Sequence, residues 1–351
     1  MLKVALVSIA PEKMTRLKQV EATLRKAGYD VIVFKPAGKP RLLPKPAASA
    51  ASYLLSLVKL ATLKADIYHV FNVPDVLALP LLAAGRRVVY DVRSPWGEEL
   101  RLLRKSSILA LIAEAVEKHV TRKADVVICV NRVLAARARA WGAKEVYVVP
   151  NRPPAGFKPT LAREELRRAA GIPPEAKLAL YVGNISEIEG ADILKRCIRA
   201  VASQEGVYLA IVGDGDKLPE LRREAEKHAS SRVLLTGRVP REDVANWINA
   251  SDLCLAPRPK SRIDFYYTPD SVWKIGEYLA LGKPILATDI RGFRGSSYPI
   301  ITASEEEYPR KLLELLKSPP KPAEKPPSWE EECEPLLLEV YRRLEKRLLT
   351  S

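Results

Sequence analysis

Glutamine and cysteine are both scarce in this chain. Glutamine occurs only as Gln19 and Gln204, and cysteine only as Cys129, Cys197, Cys254 and Cys333. The cysteines lie far apart, with no C-x-x-C pair and no Cys/His cluster. That pattern argues against both a zinc site and a disulfide framework. Three of them fall in apolar strand or helix patterns, where a buried structural thiol is expected. No apolar run reaches the ~18 residues of a spanning helix. The first residues, "MLKVALVSIAPEK", hold too short an apolar core for a signal peptide and read as a first β-strand. The expected location is therefore cytoplasmic, extending to the cytoplasmic face of the membrane as a peripheral protein. No recognised nucleic-acid motif is present, so nucleic acid is not an expected partner. Scarce glutamine beside abundant Lys, Arg, Glu and Pro is the thermophile-like bias of proteins from hot environments, which bears on stability rather than activity.

What is present is enough for two domains. The chain has 351 residues, 47% of them hydrophobic, against an ordinary domain of about 100–150. Residues 1–160 hold 27 Lys and Arg against 12 Asp and Glu, and residues 161–351 hold 30 of each, so the whole excess of +15 lies in the first half. Such asymmetry points to an anionic partner for that half, or to a merely solvated basic face.

Short β-branched runs alternate with helical spacing along residues 1–150: "KVALVS", "DVIVF", "DIYHVF", "RVVYDV", "DVVICV" and "EVYVVP" are the strands, and one long helical region runs from about 98 to 122. This is the signature of a parallel sheet with helices on both faces. The proline-rich stretch "PNRPPAGFKPT" breaks the pattern and reads as a linker over 151–160. Alternation resumes in a second doubly wound domain, 161–320. Residues 321–351 end in an amphipathic helix that Pro335 is expected to kink near its start. Two such domains would leave a cleft between the carboxyl ends of their strands, where ligands of open parallel sheets bind.

Three strands of the second domain end in glycine: Gly183 in "LYVGN", Gly213 in "AIVGDG" and Gly237 in "LLTGR". Glycine there admits close backbone approach to a ligand, and the helix that follows favours anions. Such glycines also occur for steric reasons alone. The stretch "TPDSVWKIGEYLALGKPILATD" reads as a helix capped by Thr268, Asp270 or Ser271 and ended by Gly282. Lys274 and Glu277 lie three apart near its start. They read either as an ordinary ion pair or as a ligand clamp. In the clamp, Glu277 accepts from a vicinal diol and Lys274, awkward beside a helix N-terminus, meets an anion. In the first domain, His69 ends one strand, as a cleft-facing or a structural residue. Asp91 and Arg93 end the next, followed by Trp96, Glu98 and Glu99. A carboxylate here could orient an acceptor or serve as a general base; an Asp–Arg structural pair is the other reading.

An ordered series of segments resembles the GT-B fold glycosyltransferases of family GT4, the glycosyl transferases of group 1. They are "ADVVICVNRVLAARARAWGAKEVYVVPN", "YVGNISEIEGADIL", "AIVGDGDKLPELRREAE", "VLLTGRVPREDVANWINASDLCLAP", "SVWKIGEYLALGKPILATD" and "SWEEECEPLLLEVYRRL". The resemblance implies two Rossmann-like domains facing each other across a cleft, with a C-terminal helix crossing back to the first. It implies a retaining transferase that needs no metal or other cofactor and uses a nucleotide-sugar donor. Glu277 would hold the ribose hydroxyls. Lys274 and the backbone around Gly183, Asn184, Ser271 and Val272 would face the diphosphate. Gly237 and Arg238 would line the base, and the first domain would take the acceptor. The sequence departs from the family at several positions. Asn184 and Glu189 stand where many members carry an Arg and a Lys on the diphosphate, so Lys274, Arg258, Lys260 and Arg262 are the candidate replacements. Pro269 stands where many carry a second Glu, with Asp270 and Asp264 the nearest carboxylates; Asp270 is the candidate for that catalytic role. A non-catalytic relative and a sugar-nucleotide epimerase are the other readings. The basic, proline-spaced loop with Lys35, Lys39, Arg41 and Lys45 precedes an apolar helix. The whole 35–64 region is expected to rest on an anionic membrane surface and admit a lipid-phosphate acceptor.

Overall fold

The computed structural model describes residues 1–38, 45–103, 106–228, 231–318, 320 and 325–350. The chain forms two units, Met1–Asn151 with Trp329–Ser351, and Arg152–Ser328. Residues 152–160, expected as a linker, thus belong to unit 2. Asn246 ties this segment down, its Oδ1 accepting from the amides of Thr160 and Leu161. Among the described residues no helix is long and apolar enough to cross a membrane.

Unit 1 is built on strands β1 (Lys3–Val7), β2 (Asp30–Val33), β3 (Ile67–Phe71), β4 (Val88–Val92), β5 (Val126–Cys129) and β6 (Val146–Val148). All pair in parallel, in the order β2-β1-β3-β4-β5-β6. Its helices are α1 (Thr15–Lys26), α2 (Lys45–Thr62), α3 (Leu79–Ala83), α4 (Trp96–Leu102), α5 (Ser107–Lys123) and α6 (Arg132–Ala140). Every residue of β3 and β4 is buried, as expected of parallel strands covered on both faces. The single helix expected over 98–122 is two helices. The second starts where the Ser106 side chain accepts from the Leu109 amide, a standard N-cap.

Unit 2 contains α7 (Arg163–Ala169), β7 (Lys177–Val182), α8 (Ala191–Ala202), β8 (Val207–Val212), α9 (Leu218–His228) and β9 (Val233–Gly237). These are followed by α10 (Val244–Ala250), β10 (Leu253–Ala256), α11 (Trp273–Ala280), β11 (Ile285–Thr288), β12 (Ile300–Ala303) and α12 (Tyr308–Lys317). Its sheet runs β12-β11-β10-β7-β8-β9, also parallel. This is the doubly wound order in which the chain reverses direction between β7 and β10. Ligands of such sheets bind outside the strand ends at that reversal. Buried residues of α8, α9 and α12 fill one face of the sheet, and α11 lies against β10 and β11.

The C-terminal segment belongs to unit 1. A π-helical turn, Trp329–Cys333, leads into α13 (Glu334–Leu349). Pro335 sits in the first turn of α13, directly after the π-helical turn. Trp329, Leu337, Val340, Tyr341 and Leu344 join Leu17, Val20 and Leu24 of α1 in one buried cluster. The Trp329 indole donates to Thr23 Oγ1 at 2.9 Å. All four cysteines are free and buried.

Candidate functional site

The reversal in unit 2 brings together the loops after β7 and β10 and the start of α11. Lys274 and Glu277 are both buried there, with 9% and 2% of their surface exposed. They do not form an ion pair with each other; each reaches a residue on another loop. Lys274 Nζ donates to Glu189 Oε2 at 2.6 Å and to Tyr181 Oη at 3.1 Å, and lies 4.3 Å from the centre of the Tyr181 ring. An ammonium has three N–H groups, so one is left for a ligand. Glu189 also pairs with Arg258. Burial pushes the Glu189 carboxyl up, but Arg258 and Lys274 outweigh it and hold it at about 2. Burial pulls Lys274 down, and Glu189 and Tyr181 more than reverse this.

Glu277 pairs with Arg241, which lies in the turn after β9, is 41% exposed, and stacks 5.1 Å from the Phe157 ring. Burial raises the Glu277 carboxyl above the usual carboxylate range even with Arg241 beside it. A buried carboxylate whose cation comes from a largely exposed loop can exchange that partner for a ligand. The sequence reading missed both Arg241 and Tyr181. The signal for Tyr181 was hidden because a fully buried strand shows no alternation.

The glycines divide by role. A Cβ on Gly213 would stand 1.8 Å from the Gly183 carbonyl oxygen, so close packing of two loops demands that glycine. A Cβ on Gly183 would stand 2.9 Å from Lys274 Cε, so its absence makes room for the lysine. Gly237 ends β9, and Arg238 after it is exposed. Asn184 is exposed, and its carbonyl accepts from Tyr181 Oη at 2.6 Å.

The start of α11 differs from expectation. No side chain caps it, and Val272 occupies the cap position. The Ser271 hydroxyl instead braces the preceding loop, accepting from the Thr268 amide and donating to the Thr268 carbonyl. The amides of Ser271 and Val272, expected to face phosphate, both donate to the Thr268 carbonyl at 3.0 Å. Those of Trp273 and Lys274 are then the first open N–H groups of the helix among the described residues. Asp270 is occupied by Arg152 at 2.8 Å.

In unit 1 the candidates form a closed network. Asp91 and His69 have no exposed surface. Arg16 Nε donates to both Asp91 oxygens, at 3.0 and 2.8 Å. His69 Nε2 lies 3.2 Å from Asp91, and Nδ1 lies 2.8 Å from Tyr341 Oη. Burial lowers the His69 pKa and keeps the ring neutral, despite Asp91. Burial raises Asp91, but Arg16 and His69 together hold it below its ordinary value. An ionised Asp91 only accepts, so Nε2 carries the proton and Tyr341 donates to Nδ1. Every partner belongs to unit 1. The expected acceptor-facing roles of His69 and Asp91 give way to a network that fastens α1 and α13 to the sheet. Arg93 does not pair with Asp91. Its guanidinium donates to the Asn72 carbonyl, bracing the ends of β3 and β4.

The surface of unit 1 holds a feature the sequence reading covered only in part. On α2, Leu54, Leu55 and Val58 are exposed, with exposed Lys35, Lys59 and Lys64 nearby in sequence. Lys39 and Arg41, and the side chain of Lys45, lie outside the described residues. On α5, Ile108, Leu109, Leu111 and Ile112 form a second exposed apolar face, with Ile108 at 69%.

Residues 176–318 match the family model described as "Glycosyl transferases group 1", and residues 15–151 match "Glycosyltransferase Family 4". The protein assigned as teichuronic acid biosynthesis glycosyltransferase TuaC of Bacillus subtilis (strain 168) is 25% identical over 255 residues, covering 71% of this chain and 59% of that protein. The chain thus spans about three-fifths of that relative's length. Sucrose-phosphate synthase of Thermosynechococcus elongatus superposes with a TM-score of 0.72 at 15% identity, covering both chains fully. Anabaena HepE, solved in complex with UDP and glucose, superposes with a TM-score of 0.65 at 15% identity, again over both full chains. At such identities the two structures establish the fold, GT-B with two Rossmann-like halves.

Proposed function

We propose, from the premise that the chain belongs to the group 1 glycosyltransferases of family 4, that it moves a sugar from a nucleotide-linked donor to an acceptor hydroxyl. The observation that carries this reading is the pair at the start of α11, Lys274 and Glu277. Both are buried, and each pairs with a residue from a loop that follows a strand of the unit 2 sheet rather than with the other. Glu277 would exchange Arg241 for the ribose hydroxyls. Lys274, with one N–H to spare, and the open amides of Trp273 and Lys274 would hold the phosphate. The UDP and glucose found with Anabaena HepE support a nucleotide-sugar as donor class.

The transfer would retain anomeric configuration and need no metal. Developing charge on the leaving phosphate would be met by Lys274, Arg258 and helix amides. As the bond from the sugar carbon to phosphate oxygen breaks and the bond to the acceptor oxygen forms, the acceptor's proton passes to the leaving phosphate. With Asp91, His69 and Asp270 all engaged elsewhere, the phosphate itself is the base this reading favours. The acceptor would be carried at an anionic membrane surface, a lipid-phosphate or lipid-linked glycan. The basic excess of residues 1–160 and the exposed apolar residues of α2 support this.

Labelled nucleotide-sugars, offered with and without vesicles carrying polyprenyl-phosphate, test the reading. Label should enter the lipid and free nucleotide should appear only when both substrates are present. Epimerised sugar-nucleotide without transfer would reject it.

A further inference from the structure

The donor site contains an anion of its own. Glu189 stands at the mouth of α8, directly before Gly190, and its carboxylate bridges Lys274 and Arg258, one oxygen to each. Its position is fixed by packing: a Cβ on Gly190 would stand 1.6 Å from the Pro257 carbonyl oxygen, so the backbone after β7 is pressed against the residue preceding Arg258. Glu189 keeps 20% of its side-chain surface exposed, Lys274 10% and Arg258 11%, so the triad borders solvent without being freely solvated. The depressed Glu189 pKa keeps the carboxylate charged at any neutral pH.

Two cations bridged by one carboxylate leave a single net positive charge. A sugar linked through one phosphodiester brings one negative charge, and a sugar linked through a diphosphate brings two. With little water to screen them, the second charge would meet Glu189 rather than an unpaired cation. Resting on the donor-site reading above, we infer that Glu189 is a specificity-determining residue that fits this site to a leaving group with one phosphate rather than two. The geometry admits two sources for that chemistry, a nucleoside monophosphate or a polyprenyl monophosphate.

Calorimetric titration of the full chain, as wild type and as Glu189→Gln, tests this. The probes are the methyl esters of the mono- and diphosphates of uridine, guanosine, adenosine and cytidine, which carry one and two charges as the sugar-linked forms do, with the methyl esters of farnesyl mono- and diphosphate as a second arm. The monophosphate of the preferred carrier should bind at least as tightly as its diphosphate. Glu189→Gln should raise diphosphate affinity about tenfold and leave monophosphate affinity within about threefold. Preference for a farnesyl over a nucleoside monophosphate would identify a lipid source. A wild-type preference of about tenfold or more for a diphosphate, with no gain on Glu189→Gln, overturns the inference while leaving the nucleotide site intact. If no probe binds either protein at millimolar concentration, the donor-site reading fails and the inference falls with it.

Discussion

Each unit gathers charged side chains about its parallel sheet, and the two clusters are built oppositely. In unit 1, Asp91 receives Arg16 from α1 and His69 from β3, and Tyr341 of α13 closes the far side of the imidazole. These partners come from helices or strands packed in the core, and neither His69 nor Asp91 reaches solvent. In unit 2, Glu189, Arg258 and Arg241 all come from loops following strand ends, and each keeps some exposed surface. A charge network held by packed elements is a fastener. One held by loops at strand ends can trade a protein partner for a ligand. Two similar sheets thus carry similar chemistry to different ends, and the origin of the partners decides which.

Breaking the closed network should have the largest effect on stability. Asp91→Ala leaves Arg16 and His69 without their buried partner and should cost ~3–5 kcal/mol of unfolding free energy. Nucleotide affinity should not change, since every Asp91 partner lies in unit 1. Denaturant titration paired with nucleotide binding measures both. Lost nucleotide binding in a variant that remains folded would return Asp91 to the active site.

The open network should respond the other way. Lys274→Ala should weaken nucleotide binding by ~1.5–3 kcal/mol, the range for a hydrogen bond to a charged group. Stability should fall less than for Asp91→Ala, because Arg258 still satisfies Glu189. Its pH dependence sharpens the contrast. Glu189 has its folded pKa lowered from 4.5 to about 2. Its pairing therefore stabilises fully above pH 4.5 and loses that contribution as pH falls towards 2. The stability difference between wild type and Glu189→Gln should be constant through neutral pH and shrink across that acid window. A difference that grew on acidification would contradict the pairing.

The smallest effect on folding is expected at the apolar surface of unit 1. Leu54→Ser with Val58→Ser, or Ile108→Ser with Leu111→Ser, should change stability by no more than ~0.5 kcal/mol each. Flotation with anionic vesicles should fall in each double variant. Wild-type protein that fails to float would reject membrane docking.

The legible parts of the molecule were those governed by periodicity. Eleven strands show as short β-branched runs, and the α11 signature placed Lys274 and Glu277 near a strand-edge loop. β12 and α12 escaped because "PIITASEEEYPRKLLELLK" follows a serine- and glycine-rich turn with no sharp change of pattern. Pairings across long sequence separations were not legible. Arg16 reaches Asp91 across 75 residues and Lys274 reaches Glu189 across 85, and no local spacing records either. The amides of Ser271 and Val272, expected to face phosphate, already have a partner, and the reason is local. The amide that a helix start exposes depends on where its first turn closes, and here the Thr268 carbonyl takes those two first.

The central claim is that Glu277 is a ligand clamp that Arg241 occupies in the free protein. The most direct test is calorimetric titration of the mono- and diphosphates of uridine, guanosine, adenosine and cytidine into wild type and Glu277→Ala. One nucleoside should bind in the micromolar range, and the variant should lose ~1–3 kcal/mol of that binding. Equal affinity for wild type and a folded Glu277→Ala variant would show that the carboxylate holds only Arg241, and the clamp would be ruled out.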